Sequence, residues 1–267
     1  MYISSDFSRL EINLNGCLEN YRYFRSKLDA STKLLVLVKA NAYGHGAVQF
    51  ASLMEEAGAD YLAVAYPLEG IELRQAGIKS PIMVLTAGTD SFEQIINYGL
   101  EPGIPNMYSL KILCEVLQKR GMSDFPIHIK LDTGMHRLGF MTEEMQELID
   151  FLQTCKAVKV KSVYSHLAAA DDPCCDDFTL GQVQLFRENA DKLTAAIGYK
   201  PLYHILNSAG IERFPQYQFD MVRLGIGIYG VSAIPGNHLS PVASFKCKIL
   251  QIKTLQQSDG TIGYGRH

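Results

Sequence analysis

The sequence lacks the features that mark nucleic-acid-binding, membrane and exported proteins. Its 25 Lys and Arg residues do not exceed its 28 Asp and Glu residues, and the net charge of −3 excludes the basic excess of a nucleic-acid-binding domain. No uncharged apolar run approaches the ~18 residues that a membrane helix needs. The first ten residues contain no basic segment followed by an apolar one, as an export signal would. These absences predict a cytoplasmic protein.

Cysteines are also few, with six in 267 residues. None has the C-x-x-C spacing of a zinc or redox pair, and two adjacent cysteines do not suit an ordinary disulfide. We therefore expect reduced thiols, no disulfide framework and no cysteine metal site. Four cysteines are scattered and two are adjacent: Cys17, Cys114, Cys155, Cys247, Cys174 and Cys175.

Short β-rich runs alternate with longer amphipathic runs along most of the chain. Hydrophobic residues make up 47% and charged residues 20%, as in a globular protein. A helix is predicted near 14–29, and another long helix near 178–197. The eight predicted strands are Leu34–Val38, Tyr61–Ala65, Pro81–Leu85, Glu101–Ile104, Ile127–Leu131, Val158–Tyr164, Leu202–Leu206 and Phe219–Arg223.

This alternation predicts parallel strands joined by helical crossovers. Eight units in about 230 residues fit an α/β protein of the (β/α)₈ TIM barrel type, with a doubly wound open sheet as the alternative. After Gly230 the pattern changes: Phe245–Leu255 alternates like an antiparallel strand, and Ser258-Asp-Gly indicates a turn. We expect a barrel over 1–235, followed by the beginning of a β-domain over 236–267. Because two strands alone are marginally stable, that second domain is expected to be incomplete.

A lysine and a tyrosine follow the first predicted strand, in the string Val-Lys-Ala-Asn-Ala-Tyr-Gly-His-Gly. Lys39 stands where a buried strand ends, and desolvation there would suit it to Schiff-base chemistry. The alternative is a lysine that caps the strand and reaches water. Gly44 and Gly46 allow a tight turn, which would let Tyr43 present its hydroxyl to the same region. The whole string favours the reactive lysine.

Further polar residues follow later strands. Lys130 and Arg137, after the fifth strand, favour an anionic partner, with a solvated charge cluster as the alternative. His166 ends the sixth strand, where a single histidine is more often structural than catalytic. Asn207 and Ser208 open a short helix after the seventh strand, as a helix cap or as an anion site.

Glycines follow the eighth predicted strand, in Arg223-Leu-Gly-Ile-Gly-Ile-Tyr-Gly. They would allow close backbone approach to a ligand, and barrel enzymes commonly hold phosphate after strands 7 and 8. All these residues would meet at one face of a barrel. They predict a phosphate-bearing small-molecule site with a reactive lysine, and pyridoxal phosphate carries both a phosphate and an aldehyde.

Six strings resemble, in order, those of the alanine racemases, the barrel class of pyridoxal-phosphate enzymes. The first is the cofactor-lysine signature, and the resemblance covers essentially the whole chain. The strings are Val-Lys-Ala-Asn-Ala-Tyr-Gly-His-Gly, Lys-Leu-Asp-Thr-Gly-Met-His-Arg-Leu-Gly, Tyr-Ser-His-Leu-Ala-Ala-Ala-Asp, Asn-Ser-Ala-Gly, Met-Val-Arg-Leu-Gly-Ile-Gly-Ile-Tyr-Gly and Ile-Gly-Tyr-Gly.

The resemblance implies a cofactor-binding role for residues around the first and last strands. Lys39 would form the Schiff base with pyridoxal phosphate. Tyr43, Ser208 and the backbone of Gly225 and Ile226 would hold the phosphate. Asn207 would belong to the same cofactor site.

It also implies roles around the ring and the substrate. Arg223 would face the pyridine nitrogen, and His166 would lie beside the ring and hydrogen-bond towards Arg223. Arg137 would contact the phenolic oxygen and the substrate carboxylate. Lys130 resembles a lysine that is carbamylated in many members. Tyr264 matches the second catalytic base, which in the family works in the partner subunit of a homodimer.

The activity implied is the interconversion of L- and D-alanine for peptidoglycan by two bases, without a metal. Lys39 would handle the D-enantiomer and Tyr264 the L-enantiomer. The rest of the family's β-domain is absent from this sequence, so we expect the 267-residue chain to be weakly active or inactive. Two alternatives remain: a racemase for serine or another small amino acid, and a non-catalytic barrel protein that binds pyridoxal phosphate.

Overall fold

The computed structural model describes residues 7–264, which belong to two compact units. One unit is Asn13–Val242, and the other combines residues 7–12 with 243–264. The strands are β1 Ser8–Ile12, β2 Lys33–Leu37, β3 Tyr61–Val64, β4 Ile82–Val84, β5 Glu101–Ile104, β6 Phe125–Lys130, β7 Val158–Tyr164, β8 Leu202–His204, β9 Met221–Leu224 and β10 Ala243–Cys247. The helices are α1 Leu14–Ser26, α2 Ala47–Glu56, α3 Pro67–Gln75, α4 Phe92–Asn97, α5 Met107–Lys119, α6 Met145–Thr154, α7 Asp176–Ile197 and α8 Ser208–Arg213.

Strands β2 to β9 form one parallel eight-stranded sheet in the order β8-β7-β6-β5-β4-β3-β2-β9. Two backbone hydrogen bonds link its ends, from Asp220 N to Tyr203 O (3.2 Å) and from Arg223 N to Leu206 O (3.0 Å). Helices occupy the crossovers between strands. The predicted (β/α)₈ barrel is therefore confirmed, and the open sheet is excluded.

The barrel strands send alternate side chains to two separate cores, as the two-residue period of a strand requires. On β2, Leu34 and Val36 belong to the large core that includes the helices. Leu35 and Leu37 belong instead to a smaller core inside the barrel. Every strand thus presents one row of side chains to the interior, and the functional residues described below come from these inner rows and from the loops beyond them.

The small unit differs from its prediction. The strand predicted over Phe245–Leu255 is only partly present, because β10 ends at Cys247. β10 pairs antiparallel with β1, a strand that the sequence patterns did not reveal. After Cys247 the described residues make no further strand, since an alternating pattern forms a ladder only where a neighbouring strand supplies hydrogen bonds. The predicted turn contains a short 3₁₀ helix, Gln257–Asp259, before Gly260.

The sequence also predicted that the chain has no membrane-spanning helix and that its cysteines are reduced thiols. No helix within residues 7–264 combines the length and apolarity needed to cross a membrane. The six cysteines are free thiols. Two of those described as scattered nevertheless meet in the fold, with the sulfurs of Cys114 and Cys155 3.3 Å apart.

Candidate active site

A cavity of about 440 Å³ opens where the barrel strands end. Ten of the eleven residues that the sequence singled out contribute to its lining. Tyr264 lies in the small unit, where its side chain is fully exposed. The ten lining residues are Lys39, Tyr43, Lys130, Arg137, His166, Asn207, Ser208, Arg223, Gly225 and Ile226.

The charged side chains that the structure describes in the cavity lining are all cationic. Lys39, Lys130, Arg137 and Arg223 all contribute to its lining, and no described lining residue carries a carboxylate. In a partly buried space, unpaired cations of one sign raise the free energy of the empty site and favour an anionic ligand. The arrangement therefore suits a ligand that carries more than one negative charge.

The loop after β2 is a left-handed helical turn. Ala40, Asn41, Ala42 and Tyr43 all have φ between +51° and +54°. This conformation costs about 1–2 kcal/mol per non-glycine residue, and such strain is concentrated at functional sites in proteins. Gly44 and Gly46, where the sequence predicted a tight turn, also have positive φ. Because the turn is left-handed, Lys39 and Tyr43 both reach the cavity within five residues.

Hydrogen bonds from several elements hold this turn. Glu69, in the first turn of α3, accepts from the backbone N–H of Ala40 (2.6 Å) and of Ala65 (2.7 Å). Asn41 Oδ1 accepts from the N–H of Ala47, the first residue of α2, at 2.8 Å. The strained backbone is thus tied to two helices.

Tyr43, Ser208 and Gly225 meet at one end of the cavity. A Cβ atom added at Gly225 would lie 3.3 Å from the Tyr43 hydroxyl and 3.8 Å from Ser208 Oγ. Tyr43 also packs on Tyr229, with ring centroids 4.7 Å apart, and the Tyr229 hydroxyl donates to Leu37 O at 3.0 Å. The hydroxyls of Tyr43 and Ser208 and the backbone of Gly225, which has no side chain, therefore form a small cradle.

The backbone after β9 takes part in that cradle. Ser208 Oγ accepts from the N–H groups of Gly225 (2.9 Å) and Gly227 (3.1 Å), which leaves its own proton to donate. The N–H of Ile226, between them, has no acceptor among the described residues. Asn207 fixes the start of α8, since its Oδ1 accepts from Gly210 N at 2.9 Å. The cradle thus offers the hydroxyl of Ser208 and the amide of Ile226 to an anion.

A closed loop carries Lys130 and Arg137. Its base is formed by the backbone hydrogen bonds between Phe140 N and Lys130 O (2.8 Å) and between Asp132 N and Phe140 O (2.9 Å). Gly139 allows this closure, because its φ is +127° and a Cβ there would lie 2.6 Å from Asp132 N. Lys130 is the last residue of β6 rather than a residue beyond it. The two cations therefore reach the cavity from one rigid loop.

Lys130 is buried and its amine makes no ion pair among residues 7–264. Burial lowers its pKa to about 8, and the nearby positive charges of Arg223 and Arg137 act in the same direction. A substantial fraction of this amine is therefore neutral near pH 8, and only the neutral form is nucleophilic.

Arg223 points from β9 into the barrel, where it is buried. Its Nη1 donates to His204 Nδ1 (2.9 Å) and to His204 O (3.0 Å). Its Nη2 donates to Ile205 O (3.0 Å) and to the carbonyl of Ser165. Within the described part of the chain, Nε is the nitrogen of this side chain that has no acceptor. One N–H of Arg223 is therefore free for a ligand.

His166 lies beside Arg223, with its Nδ1 3.2 Å from Arg223 Nη2. Because arginine only donates, His166 Nδ1 must accept, which leaves the proton of the neutral ring on Nε2. Burial lowers the pKa of His166 to about 3, and Arg223 and Lys130 add to that shift. His166 is therefore neutral at physiological pH.

Sequence reasoning assigned no role to Tyr164 and His204, which both pack around Arg223. The Tyr164 ring stacks on His204 at 5.2 Å between centroids and lies 5.6 Å from the Arg223 guanidinium. Tyr164 also lines the cavity, and its buried hydroxyl has no hydrogen-bond partner among residues 7–264. A usable signal was present, because both are polar residues at inward-facing positions of predicted strands.

Comparison with known proteins gives consistent matches. The pattern of the family described as "Alanine racemase, N-terminal domain" matches residues 12–233. The alanine racemase of Synechocystis sp. is 37% identical, over 96% of this chain and 70% of that protein. Alanine racemase from Streptomyces lavendulae superposes with a TM-score of 0.90 at 30% identity, over 99% of this chain and 71% of that one. Alanine racemase from Bartonella henselae, solved with covalently bound pyridoxal phosphate, gives a TM-score of 0.86 at 26% identity, over 97% and 71% of the two chains.

Proposed function

The chain belongs to the alanine racemase family, and we propose that it interconverts L-alanine and D-alanine with pyridoxal phosphate as cofactor. The observation that carries this proposal is the convergence of Lys39, the hydroxyl cradle and Arg223 on a single cation-lined cavity. In this proposal the reaction supplies D-alanine for peptidoglycan in the cytoplasm.

The residues present fit the cofactor. The cradle of Tyr43, Ser208 and Ile226 matches a phosphate, and Lys39 would hold the aldehyde carbon covalently. Arg223 would offer its free Nε–H to the ring nitrogen. When bound, pyridoxal phosphate acidifies the α-proton of an attached amino acid by delocalising the resulting negative charge.

Racemisation needs one base on each face of the reacting carbon, because a single base tends to return the proton to the side it came from. We assign these roles to Lys39, for the D-enantiomer, and to Tyr264, for the L-enantiomer. In a homodimer the second base would be the partner subunit's Tyr264. Lys39 already lines the cavity, and the fully exposed Tyr264 is available for such a contact.

The two cations of the closed loop would bind the substrate and the cofactor oxygen. Arg137 would hold the substrate carboxylate through its forked donors. Lys130, with a pKa lowered to about 8 by burial, has the neutral amine that carbamylation by carbon dioxide requires. A carbamate there would replace a cation by an anion and would pair with Arg137.

Arg223 would set the electronic character of the ring. A guanidinium stays protonated, so it donates a hydrogen bond to the ring nitrogen without transferring a proton to it. A carboxylate at this position would favour protonation of the nitrogen instead. Arg223 would therefore limit charge delocalisation into the ring and, with it, transamination.

A pair of lysine substitutions on β2 and its following loop tests the proposal. Lys39→Ala should abolish the absorbance of lysine-bound cofactor and its fixation by borohydride. Lys33→Ala is the matched control, because Lys33 starts the same strand and pairs at the surface with Asp60. Borohydride-fixed cofactor that maps to another lysine in Lys39→Ala would contradict the assignment.

An amino-acid panel separates the two alternatives kept from the sequence. Preferential racemisation of serine would indicate a related racemase. Bound cofactor without racemisation of any amino acid in the panel would indicate a non-catalytic binding protein.

A further inference from the structure

A chain of hydrogen bonds crosses the interior of the barrel. Glu101 Oε2 is 2.9 Å from His128 Nε2, and His128 Nδ1 is 2.6 Å from Ser162 Oγ. Ser162 Oγ is 2.8 Å from His204 Nε2, and His204 Nδ1 is 2.9 Å from Arg223 Nη1. Each of the five successive strands β5 to β9 thus contributes one residue to the chain.

The chain joins the two ends of the barrel. Glu101 is the first residue of β5 and so lies at the amino end of the parallel strands, with a side chain 14% exposed. His128, Ser162 and His204 are completely buried. Arg223 lines the cavity at the opposite end. An unbroken series of hydrogen bonds therefore connects Glu101, at the amino end of the barrel strands, to the candidate cofactor site at their carboxyl end.

The Arg223 end sets a direction for the protons of this chain. Arg223 only donates, so His204 Nδ1 accepts and the neutral His204 ring carries its proton on Nε2. Burial, reinforced by the Arg223 charge, lowers the pKa of His204 well below its usual value and keeps it neutral. His204 then donates to Ser162, which uses its own proton to donate to His128 Nδ1. In this direction His128 accepts at Nδ1 and donates from Nε2 to Glu101.

The two ends of the chain carry opposite charges. Arg223 has no carboxylate within ion-pair distance among residues 7–264, although a buried cation is costly without compensation. Aromatic rings enclose the links: Tyr164 stacks on His204, and Tyr61 meets His128 edge-on at 6.1 Å. Arg74 also feels the negative charge of Glu101, but its N–H groups donate to backbone carbonyls rather than to that carboxylate.

We propose that Glu101 is the remote counter-charge of Arg223, and that His128, Ser162 and His204 transmit it through a one-way hydrogen-bond chain that positions the Arg223 guanidinium. Glu101 and His128 are then positioning residues for the cofactor's ring nitrogen, although both lie outside the cavity lining. Only the link from Arg223 to that nitrogen rests on the proposed function. The chain itself is a property of the protein without ligand.

Nitrogen-15 NMR of the histidine-labelled, ligand-free full chain tests the direction of the protons. The ring proton should be on Nε2, and Nδ1 should be unprotonated, in both His128 and His204. A cationic His128, or an Nδ1–H tautomer at either ring, would overturn the one-way chain. This measurement needs no substitution and no cofactor.

A charge-removing substitution tests the counter-charge. Glu101→Gln keeps an oxygen acceptor for His128 but removes the charge, and Glu93→Gln is the matched control because Glu93 pairs with Arg120 at the surface. Equilibrium affinities are measured for pyridoxal phosphate and for its 1-deaza analogue, which lacks the ring nitrogen. In Glu101→Gln the ratio of the two affinities should fall at least threefold, while Glu93→Gln should leave it unchanged.

Equal weakening of both ligands in Glu101→Gln would show a merely structural role and would overturn the proposal, as would no weakening of either. If the wild-type chain binds neither ligand, the cofactor proposal fails. The NMR result then still decides whether the chain exists as described. Failure of the cofactor proposal can therefore be distinguished from failure of the hydrogen-bond chain.

Discussion

The two sides of the barrel interior differ in chemistry. Strands β2 to β4 fill their side almost entirely with apolar groups and one tyrosine: Leu35, Leu37, Tyr61, Ala63 and Met83. Strands β6 to β9 contribute mainly polar groups to the other side: His128, Lys130, Ser162, Tyr164, His204 and Arg223. One barrel thus contains a conventional core beside a buried polar network. We infer that the apolar side mainly stabilises the fold and that the polar side mainly shapes the site.

The division is incomplete at one point. Lys39 and Tyr43 follow β2, on the apolar side, and they line the cavity from the left-handed turn. Lys39, the proposed Schiff-base lysine, is therefore anchored on the apolar side, opposite the polar network.

The sharpest test of this division is a reversal of charge on the polar side. Arg223→Glu should slow racemisation about 10²–10³-fold, the range observed when a preorganised donor is lost from an active site. A carboxylate should also favour protonation of the ring nitrogen and raise the share of half-transamination. Both products are measured in one reaction mixture. An unchanged partition between them would mean that Arg223 does not face that nitrogen.

Truncation on the apolar side should act on stability instead. Met83 is completely buried inside the barrel, so Met83→Ala should lower the free energy of unfolding by about 2–5 kcal/mol. Cofactor affinity of the folded protein should stay within about twofold of wild type. Denaturant titration and cofactor binding check the two expectations. Met141→Ala, at a partly exposed position, is the control and should cost less than about 0.5 kcal/mol.

The pH dependence of carbamylation at Lys130 provides a further test on the polar side of the barrel. The Lys130 pKa of about 8 means that the neutral amine increases roughly tenfold between pH 7 and pH 9, and uptake of ¹³C-labelled carbon dioxide should rise in parallel. The label should be absent in Lys130→Met and retained in Lys33→Met. Uptake that does not depend on Lys130 would contradict carbamylation at this residue.

The same group should produce a smaller effect on stability. Because its pKa is lowered from 10.5 to about 8 in the folded state, the unfolded chain binds more protons between these values. Without carbon dioxide, the stability of wild type relative to Lys130→Met should therefore rise with pH from about 8 to 10.5. Denaturant titrations at several pH values measure this slope, and a falling slope would contradict the assigned shift.

The sequence predicted the barrel and the residues at its strand ends because both produce local patterns. Strand period, helix period and turn glycines are visible within a few residues, and ten of the eleven singled-out residues line the cavity. The left-handed turn was only partly visible, since Ala40 and Ala42 have no intrinsic preference for that backbone.

Contacts between distant segments were not predictable in this way. The hydrogen-bond chain needs His128, Ser162 and His204 to be in register on neighbouring strands, and register depends on the closed barrel. The proximity of Cys114 to Cys155 likewise arises from the packing of separate elements. The pattern over Phe245–Leu255 was overinterpreted, because a strand requires a partner as well as a period.

The left-handed turn also bears on the order in which the chain folds. Its backbone conformation is unfavourable in isolation, so the turn gains its shape only from the elements that hold it. One of those is Tyr229, which follows the last barrel strand and packs against Tyr43 and His45. The turn is therefore completed only once β9 has closed the barrel beside β2. We infer that Lys39, the proposed Schiff-base lysine, reaches its position in the cavity only after the barrel has closed.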